Sequence, residues 1–265
     1  MKTVILCGGL GTRLAEETGK RPKPMVYIGG KPILWHILDI YGRQGHNDFV
    51  LALGYKGEQV KEYFLNYYAM TSDATVDLDT GNVSYRTQSQ DRRNWKVALV
   101  DTGQTSQTGG RLLRLKQTLA ADTFMVTYGD GVANVDLAEL LKVHRAHGKL
   151  VTVTAVRPLS RFGGLRLNTG QPHEVEKFVE KPDFTQTLTD AQGQWINGGF
   201  FVMEPGVFDY IDDDATNLER DALERIAADG QMAAHAHHGF WQCMDTVRDR
   251  DMLEELCATG HPPWI

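Results

Sequence analysis

Short apolar runs alternate with amphipathic segments along the first 156 residues of the chain. Apolar residues that recur every three or four positions indicate helices, whereas brief continuous apolar runs bounded by glycine or polar residues indicate buried strands. Strands separated by helices of this length are typical of right-handed βαβ units, so we expect a mostly parallel sheet. The pattern predicts strands at 3–6, 48–53, 96–102, 123–130 and 150–156, and helices at 32–45, 57–68, 110–121 and 137–148.

The pattern becomes shorter and less regular in two regions. Residues 73–95 contain two brief strand-like runs around Gly81-Asn82, which predict a hairpin. No repeat or linker-like tract separates the second region, which begins after Pro158, from the first part of the chain. Residues 1–265 are therefore predicted to form a single α/β domain. The second region predicts strands at 163–167, 174–180 and 195–203, and helices at about 216–229 and 246–259.

Composition excludes several classes of protein. A net charge of −6 over 265 residues argues against a nucleic-acid-binding surface, which needs a basic stripe. No apolar run approaches the ~20 residues of a membrane-spanning helix. The apolar stretch from Val4 to Cys7 is shorter than the ~7–15 residues of a secretion signal's hydrophobic region, so we expect a cytoplasmic protein. The three cysteines form no C-x-x-C pair and are predicted to be reduced structural thiols.

The stretch from Leu6 to Pro24, LCGGLGTRLAEETGKRPKP, follows the first predicted strand and is rich in glycine and cations. It lacks the lysine-hydroxyl pair of a P-loop and the last glycine of a G-x-G-x-x-G dinucleotide fingerprint. Small residues let backbone N–H groups approach an anion closely, and Arg13 adds a fixed positive charge, so we expect an anion site. Lys23 lies between two prolines, which fits either a fixed phosphate ligand or a stiff surface turn.

Two aspartates stand just after predicted strands, where an open parallel sheet binds its ligands. Asp130 lies between two glycines in YGDG (128–131), and Asp245 precedes a helix in MDT (244–246). Each carboxylate suits a Mg²⁺ ion that also contacts phosphate oxygens. An Asp-Gly turn explains Asp130 equally well, and a helix N-cap explains Asp245.

Two further polar clusters are interpreted as structural. HAHH (235–238) reads as a strand that leads into an aromatic turn, because no carboxylate or cysteine lies at ligand spacing. DDD (212–214) precedes a predicted helix and is expected to favour its N-terminus.

Several motifs follow one another along nearly the whole chain. One set is GGLGTRL (8–14), RPKPM (21–25), YGDG (128–131), EKP (180–182) and NGGF (197–200). This set resembles the sugar-1-phosphate nucleotidylyltransferase family, although Cys7 departs from the pattern, since the family usually has alanine there. The motifs that resemble its cytidylyl branch are IGGKPILWHI (28–37), VDTG (100–103), TGGRL (108–112), RFGGL (161–165) and WQCMDTVRD (241–249).

The resemblance implies a Rossmann-like fold with a mixed, mostly parallel central sheet flanked by helices and small β-rich sugar-binding elements. Residues 1–157 would mainly bind nucleotide, and residues 158–265 would mainly bind sugar and supply the second metal ligand. The implied reaction transfers a cytidylyl group from CTP to α-D-glucose 1-phosphate, giving CDP-glucose and pyrophosphate. The implied cofactor is Mg²⁺. Formation of homo-oligomers is also implied, with residues 57–95 as a candidate contact surface.

The same resemblance assigns roles to individual residues. Arg13 and Lys23 would act on the phosphates as catalytic residues, and Asp130 and Asp245 would hold Mg²⁺. The cytosine base would be read by the segment from Thr105 to Arg111, with Ser106 and Arg111 as the candidate contacts. The nucleotide site would comprise Leu6, Gly8, Gly9, Leu10, Gly11, Thr12, Ser106, Gly110 and Arg111, and the sugar site Gly163, Glu180, Lys181 and Asn197.

Three alternatives stay open at the level of sequence. A nucleotidylyltransferase of the same fold would use another nucleoside triphosphate or sugar. A regulatory subunit that binds nucleotide-sugar would have lost catalysis, although Arg13, Lys23 and both aspartates are present. An NAD-linked enzyme would need an acidic residue after the second strand, where Gly54-Tyr55-Lys56 stands instead.

Overall fold

The computed structural model describes residues 1–9, 11, 14–86, 93–157, 164–167, 175–179 and 195–265. A seven-stranded sheet runs through the middle of this part of the chain. The strands that were predicted with bounds are confirmed within two residues at each end. In the order in which they pair, the strands of the central sheet are β14 (Met232–His237), β10 (Val151–Val156), β13 (Ile196–Met203), β8 (Phe124–Tyr128), β1 (Thr3–Cys7), β4 (Asp48–Leu53) and β7 (Lys96–Asp101).

The sheet is mixed but mostly parallel, as predicted. Strands β8, β1, β4 and β7 pair in parallel, as do β10 and β14, whereas β13 runs antiparallel to both of its neighbours. The chain moves from β1 outward through β4 to β7, then returns to place β8 on the other side of β1. This reversal of direction opens a crevice at the carboxyl ends of β1 and β8, which is where open α/β sheets bind ligands.

Strand β1 shows why the apolar runs are continuous. Successive side chains of a strand point to opposite faces, and helices cover both faces of a parallel sheet, so each position meets a core. Val4 and Leu6 lie in one apolar cluster, and Ile5 and Cys7 lie in the other. All five residues of the strand are buried.

Helices cover the sheet, and helix α7 (Leu137–His147) shows how their ends are set. The Asp136 carboxylate accepts a hydrogen bond from the Glu139 amide at 2.9 Å, and Gly148 ends the helix in the left-handed conformation with φ of 64°. The other helices are α1 (Ala15–Thr18), α2 (Ile33–Arg43), α3 (Gly57–Leu65), α4 (Tyr67–Thr71), α5 (Thr108–Arg114), α6 (Lys116–Leu119), α8 (Glu224–Ala228) and α9 (Val247–Ala258).

Three predicted helices are not continuous. The helix expected at 57–68 breaks at Asn66, whose side chain donates a hydrogen bond to the Glu62 carbonyl at 2.9 Å. The helix expected at 110–121 starts at Thr108 and breaks at the buried Leu115. The helix expected at 216–229 begins with a π-helical turn, Leu218–Leu223, before α8. Apolar periodicity survives such breaks, so it cannot place them.

Two-stranded antiparallel ribbons form in addition to the central sheet. The hairpin expected around Gly81 is confirmed, and Gly81 adopts a φ of 75° in its turn. The ribbon formed by β9 and β15 was not predicted, because each of its strands has only three residues. The ribbons pair β2 (Tyr27–Ile28) with β3 (Lys31–Pro32), β5 (Asp73–Val76) with β6 (Val83–Arg86), β9 (Gly131–Ala133) with β15 (Trp241–Cys243), and β11 (Gly164–Leu167) with β12 (Val175–Val179).

The acidic run at 212–214 does not act at a helix N-terminus, so that expectation is wrong. Asn217 caps the following π-helical turn by accepting a hydrogen bond from the Arg220 amide. Asp214 instead pairs with Arg114 on α5, which ties the loop before the turn to that helix.

The strand interpretation of HAHH is confirmed by β14, which ends at His237. Within the described ranges, no group of three or more histidine, cysteine or acidic side chains is arranged to hold a metal ion. No helix in this part of the chain is both long and apolar enough to cross a bilayer.

Candidate active site

A cavity of about 700 Å³ lies at the carboxyl ends of β1 and β8, where the topology predicts a ligand. Its lining comes from five segments of the chain. These are the end of β1 with the glycine loop that follows it, the 3₁₀ turn at Lys23–Met25, Tyr55 after β4, the segment from Gln104 to Arg111, and the end of β8. Of the predicted site residues, the cavity brings together Leu6, Gly8, Gly9, Gly11, Lys23, Ser106, Arg111 and Asp130.

The glycine loop is held close to the sheet where it leaves β1. A Cβ atom on Gly8 would lie 2.0 Å from the guanidinium carbon of Arg111, so only glycine fits there. A Cβ atom on Gly9 would meet nothing within 4 Å, which leaves its backbone open to a ligand. Gly11 has a φ of 62°, and its carbonyl accepts a hydrogen bond from the Thr18 hydroxyl at 3.0 Å. The predicted residues Leu10, Thr12 and Arg13 lie outside the described residues.

Arg111 holds the base of this loop in place. Its guanidinium donates to the carbonyls of Gly8 at 3.0 Å, Leu53 at 3.1 Å and Gly103 at 2.7 Å. The side chain is buried, and this burial lowers its pKa from the ordinary value for arginine. Because the three carbonyls come from different segments, Arg111 fixes their relative positions as well as lining the cavity.

Ser106 and Gly110 occupy different sides of the segment that was predicted to read a base. Ser106 is buried and lines the cavity. Gly110 faces the other way, because a Cβ atom there would lie 2.4 Å from the carbonyl oxygen of Asp214. Its small size therefore allows α5 to approach the loop before the π-helical turn.

Lys23, Asp130 and Asp245 meet at one end of the cavity. The Lys23 ammonium donates to Asp130 Oδ2 at 2.5 Å and to Asp245 Oδ1 at 2.6 Å. Burial disfavours the charged ammonium, but the two carboxylates outweigh that effect and raise the pKa of Lys23. The lysine therefore stays protonated and lies between the two predicted metal ligands.

The unpredicted β9–β15 ribbon brings the two aspartates together. Cys243 pairs with Gly131, and the Met244 amide donates to the Asp130 carbonyl at 2.8 Å, so Asp245 arrives beside Asp130. Asp245 does not cap helix α9. Thr246 does so, in a capping box with Asp249. The Asp245 side chain is therefore left to point toward Lys23.

Fold and site together agree with one family. The nucleotidyl transferase family model matches residues 2–250. The chain belongs to the nucleotidyl transferase family. The structure of HddC from Yersinia pseudotuberculosis has the same fold, with a TM-score of 0.67 and 23% identity over 96% of this chain and 98% of that one.

Relatives of this nucleotidyltransferase span its whole length. It is 48% identical over 265 residues to the glucose-1-phosphate cytidylyltransferase of Salmonella typhimurium, which covers all of this chain and 98% of the relative. It is also 28% identical to the mannose-1-phosphate guanyltransferase of Hypocrea jecorina, over 97% of this chain and 64% of that protein.

Nucleotidyltransferases of this family generally use a divalent metal, and the Asp130–Asp245 pair fits such an ion. Two carboxylates supply hard oxygen ligands, and nucleotide phosphates and water can supply the rest. Lys23 now satisfies both carboxylates, so an ion that binds there has to displace its ammonium.

Of the residues predicted to bind sugar, only Asn197 lies within the described residues. Its Nδ2 donates to the Tyr128 hydroxyl at 3.1 Å, and its Oδ1 accepts from the Gly199 amide at 2.8 Å. It is exposed, at the start of β13. Gly163, Glu180 and Lys181 lie outside the described residues.

Tyr128 and Glu219 were not among the predicted site residues. Tyr128 is the last residue of β8 and lines the cavity. Its hydroxyl donates to Glu219 Oε1 at 2.5 Å. Glu219 reads in the sequence as an ordinary acidic residue in the first turn of a helix, which gives no signal of this contact.

Proposed function

We propose that the chain transfers a cytidylyl group from CTP to α-D-glucose 1-phosphate, giving CDP-glucose and pyrophosphate. The single observation that carries the proposal is the 48% identity, over 100% of the chain, to the Salmonella glucose-1-phosphate cytidylyltransferase. The cavity at the switch point of the sheet, with its open glycine backbone and its Lys23–Asp130–Asp245 group, supports it.

Charge neutralisation is the main chemical demand of this reaction. A phosphate oxygen of the sugar attacks the α-phosphorus in line with the departing pyrophosphate, so several negative charges converge before any bond changes. We assign Lys23 to the phosphates at the reacting centre and Arg13 to the triphosphate and leaving group. Mg²⁺ held by Asp130 and Asp245 would supply the remaining positive charge. Positioning and electrostatic stabilisation then account for most of the rate enhancement.

The glycine loop is assigned to the nucleotide phosphates, and the segment from Thr105 to Arg111 to the base. The unobstructed backbone of Gly9 supports the first assignment, because an anion needs close access to amide groups. The presence of Ser106 and Arg111 in the cavity wall supports the second. Cytosine offers acceptors at O2 and N3 and a donor amino group, so an arginine and backbone groups can distinguish it from uracil.

The sugar phosphate is assigned to the second part of the chain, where Asn197 contacts Tyr128 beside the cavity. Residues 1–157 would thus serve mainly the nucleotide, and residues 158–265 mainly the sugar and the second metal ligand. We retain Glu180 for the sugar hydroxyls, Lys181 for its phosphate and Gly163 for close approach of the backbone.

The test offers the protein CTP, UTP, dTTP, GTP or ATP in turn, each with glucose 1-phosphate and Mg²⁺. The rate of pyrophosphate release is measured for each nucleotide. We expect CTP to give the highest kcat/KM. An Asp130→Asn variant provides the matched inactive control, since it keeps the shape of the side chain and removes its charge. Clear preference for another nucleotide would refute the assignment of the base.

Guanylyl transfer is the second candidate. It is favoured by the 28% identity, over 97% of the chain, to the Hypocrea jecorina mannose-1-phosphate guanyltransferase. GTP with mannose 1-phosphate therefore belongs in the same panel. Turnover with that pair, and none with CTP and glucose 1-phosphate, would establish it. A regulatory subunit without catalysis would give no pyrophosphate with any pair.

We further propose that the protein forms homo-oligomers through residues 57–95. Large apolar side chains there are exposed: Leu65 at 78%, Met70 at 80% and Leu78 at 92%. Association of two copies would remove these apolar side chains from water. Light scattering after size-exclusion chromatography should give a multiple of the 29.6 kDa chain mass, and Leu78→Glu should lower it. A monomeric wild-type protein would contradict the proposal.

A further inference from the structure

Glu219 joins two walls of the cavity by accepting two hydroxyl hydrogen bonds. Its Oε1 accepts from the Tyr128 hydroxyl at 2.5 Å, and its Oε2 accepts from the Thr108 hydroxyl at 2.8 Å. Tyr128 and Thr108 both line the cavity, on β8 and at the start of α5. No cation among the described residues forms a salt bridge with Glu219. Its carboxylate therefore organises two hydroxyl groups.

The backbone around Glu219 is anchored independently of that carboxylate. The Leu218 amide donates to the Thr108 hydroxyl at 2.9 Å, and the amides of Gly109 and Gly110 donate to the Thr216 carbonyl. Glu219 lies in the π-helical turn that follows, and such turns often occur at functional sites. A truncated side chain at 219 would therefore leave this turn attached to α5.

Tyr128 extends the connection to the sugar side. A Cβ atom on Gly199 would lie 2.6 Å from the Tyr128 ring, so the ring packs closely against β13. Burial, with the nearby Glu219 carboxylate, raises the pKa of Tyr128 well above its ordinary value. The hydroxyl therefore stays protonated. It donates a hydrogen bond to Glu219 and accepts one from Asn197 Nδ2.

We infer that Glu219 is a positioning residue that couples the nucleotide and sugar sides of the site. Through Thr108, the first residue of α5, it orients the middle of the segment assigned to the base. Through Tyr128 it orients Asn197, which is assigned to the sugar. The inference rests on the proposed function only for the names of the two substrates, since the Asn197–Tyr128–Glu219–Thr108 chain of hydrogen bonds does not depend on them.

The test compares Glu219→Ala with the conservative Glu219→Gln. Loss of one hydrogen bond to a charged group weakens an interaction about tenfold or more, so the alanine variant, which loses both, should raise the KM for each substrate at least about tenfold. The glutamine can accept one hydroxyl bond and donate to the Thr108 oxygen, so it should restore most of the affinity. We expect kcat to change less than either KM, because Glu219 does not touch the reacting atoms.

A matched pair elsewhere in the chain serves as control. The Tyr210 hydroxyl donates to Asp229 at 2.9 Å on an exposed surface, so it has the same chemistry outside the cavity. Tyr210→Phe should leave both KM values unchanged, whereas Tyr128→Phe should raise the KM for the sugar phosphate. The melting temperature of each variant shows whether a raised KM comes from unfolding or from displaced side chains in a folded protein. If Glu219→Ala does not fold, Thr108→Val and Tyr128→Phe test the two hydrogen bonds one at a time: the first should raise the KM for the nucleotide and the second the KM for the sugar phosphate, and an unchanged value in either variant would overturn the coupling role.

All KM values are measured with whichever nucleotide and sugar phosphate the wild-type panel prefers. A wild-type preference for a pair other than CTP and glucose 1-phosphate would overturn the proposed function and leave this test intact. An increase confined to one substrate in Glu219→Ala, or unchanged KM values for both, would overturn the coupling role of Glu219.

Discussion

The position of Lys23 between Asp130 and Asp245 implies that its removal strengthens the binding of a metal ion. Its ammonium fills the space between Asp130 and Asp245, where a cation would lie, and only 13% of its side chain is exposed. A divalent ion without nucleotide must displace this ammonium and leaves it no phosphate to contact. Lys23→Met removes the charge and keeps the length of the side chain, so the variant should bind a metal ion alone more tightly than the wild type.

The size of the effect follows from the two contacts that the ion breaks. Each hydrogen bond between charged groups contributes about 1.5–3 kcal/mol. The displaced ammonium forms new hydrogen bonds with water, which offset part of this free energy. We therefore take the free energy of one hydrogen bond as the net cost of displacing Lys23. Since 1.4 kcal/mol is a factor of ten, Lys23→Met should bind Mn²⁺ alone about 10- to 150-fold more tightly.

Mn²⁺ is a suitable probe because electron paramagnetic resonance counts free ions directly, and calorimetry gives the same dissociation constant. Lys142→Met is the matched control, since Lys142 pairs with Glu139 on the exposed surface of α7 and should leave Mn²⁺ binding unchanged. Catalysis should fall strongly in Lys23→Met despite its tighter metal binding. Equal or weaker Mn²⁺ affinity in this variant would refute the reasoning that Lys23 competes with the ion.

Three further predictions concern the metal ligands, helix α9 and pH. Asp130→Asn and Asp245→Asn should each abolish most pyrophosphate release while the melting temperature stays near that of the wild type. Asp249→Ala removes half of the capping box and should lower the free energy of unfolding in urea by about 1 kcal/mol. Burial lowers the pKa of His36, whose Nδ1 accepts a hydrogen bond from Trp264. His36 therefore binds a proton more readily in the unfolded chain than in the folded one. The melting temperature should fall as the pH drops below about 6.5, and His36→Gln should make it less dependent on pH.

Much of the fold could be predicted from the sequence because both faces of the sheet are buried. The apolar runs at 48–53 and 150–156 coincide with β4 and β10 almost residue for residue. Helix ends with local signals were also predictable, as with the Gly148 terminus of α7. The breaks at Asn66 and Leu115 were not, because they depend on a side-chain hydrogen bond and on tertiary burial.

Some residues of the candidate site could likewise be predicted from the sequence, and others could not. Residues just after strands, such as Asp130, could be proposed because parallel strands bring their carboxyl ends to one edge. The meeting of Asp130 with Asp245 could not be derived from periodicity, since the β9–β15 ribbon that joins them has strands of three residues each. Glu219 was missed because its partners Tyr128 and Thr108 are remote in sequence.

The identity of the transferred nucleotide tests the central claim most directly. All candidate nucleoside triphosphates are offered together at equal concentration with glucose 1-phosphate and Mg²⁺, and the nucleotide-sugars formed are identified by mass spectrometry. Because product ratios in competition equal ratios of kcat/KM, and one lost hydrogen bond costs about tenfold, we predict CDP-glucose in at least about tenfold excess. UDP-glucose, dTDP-glucose or GDP-glucose as the main product would contradict the claim.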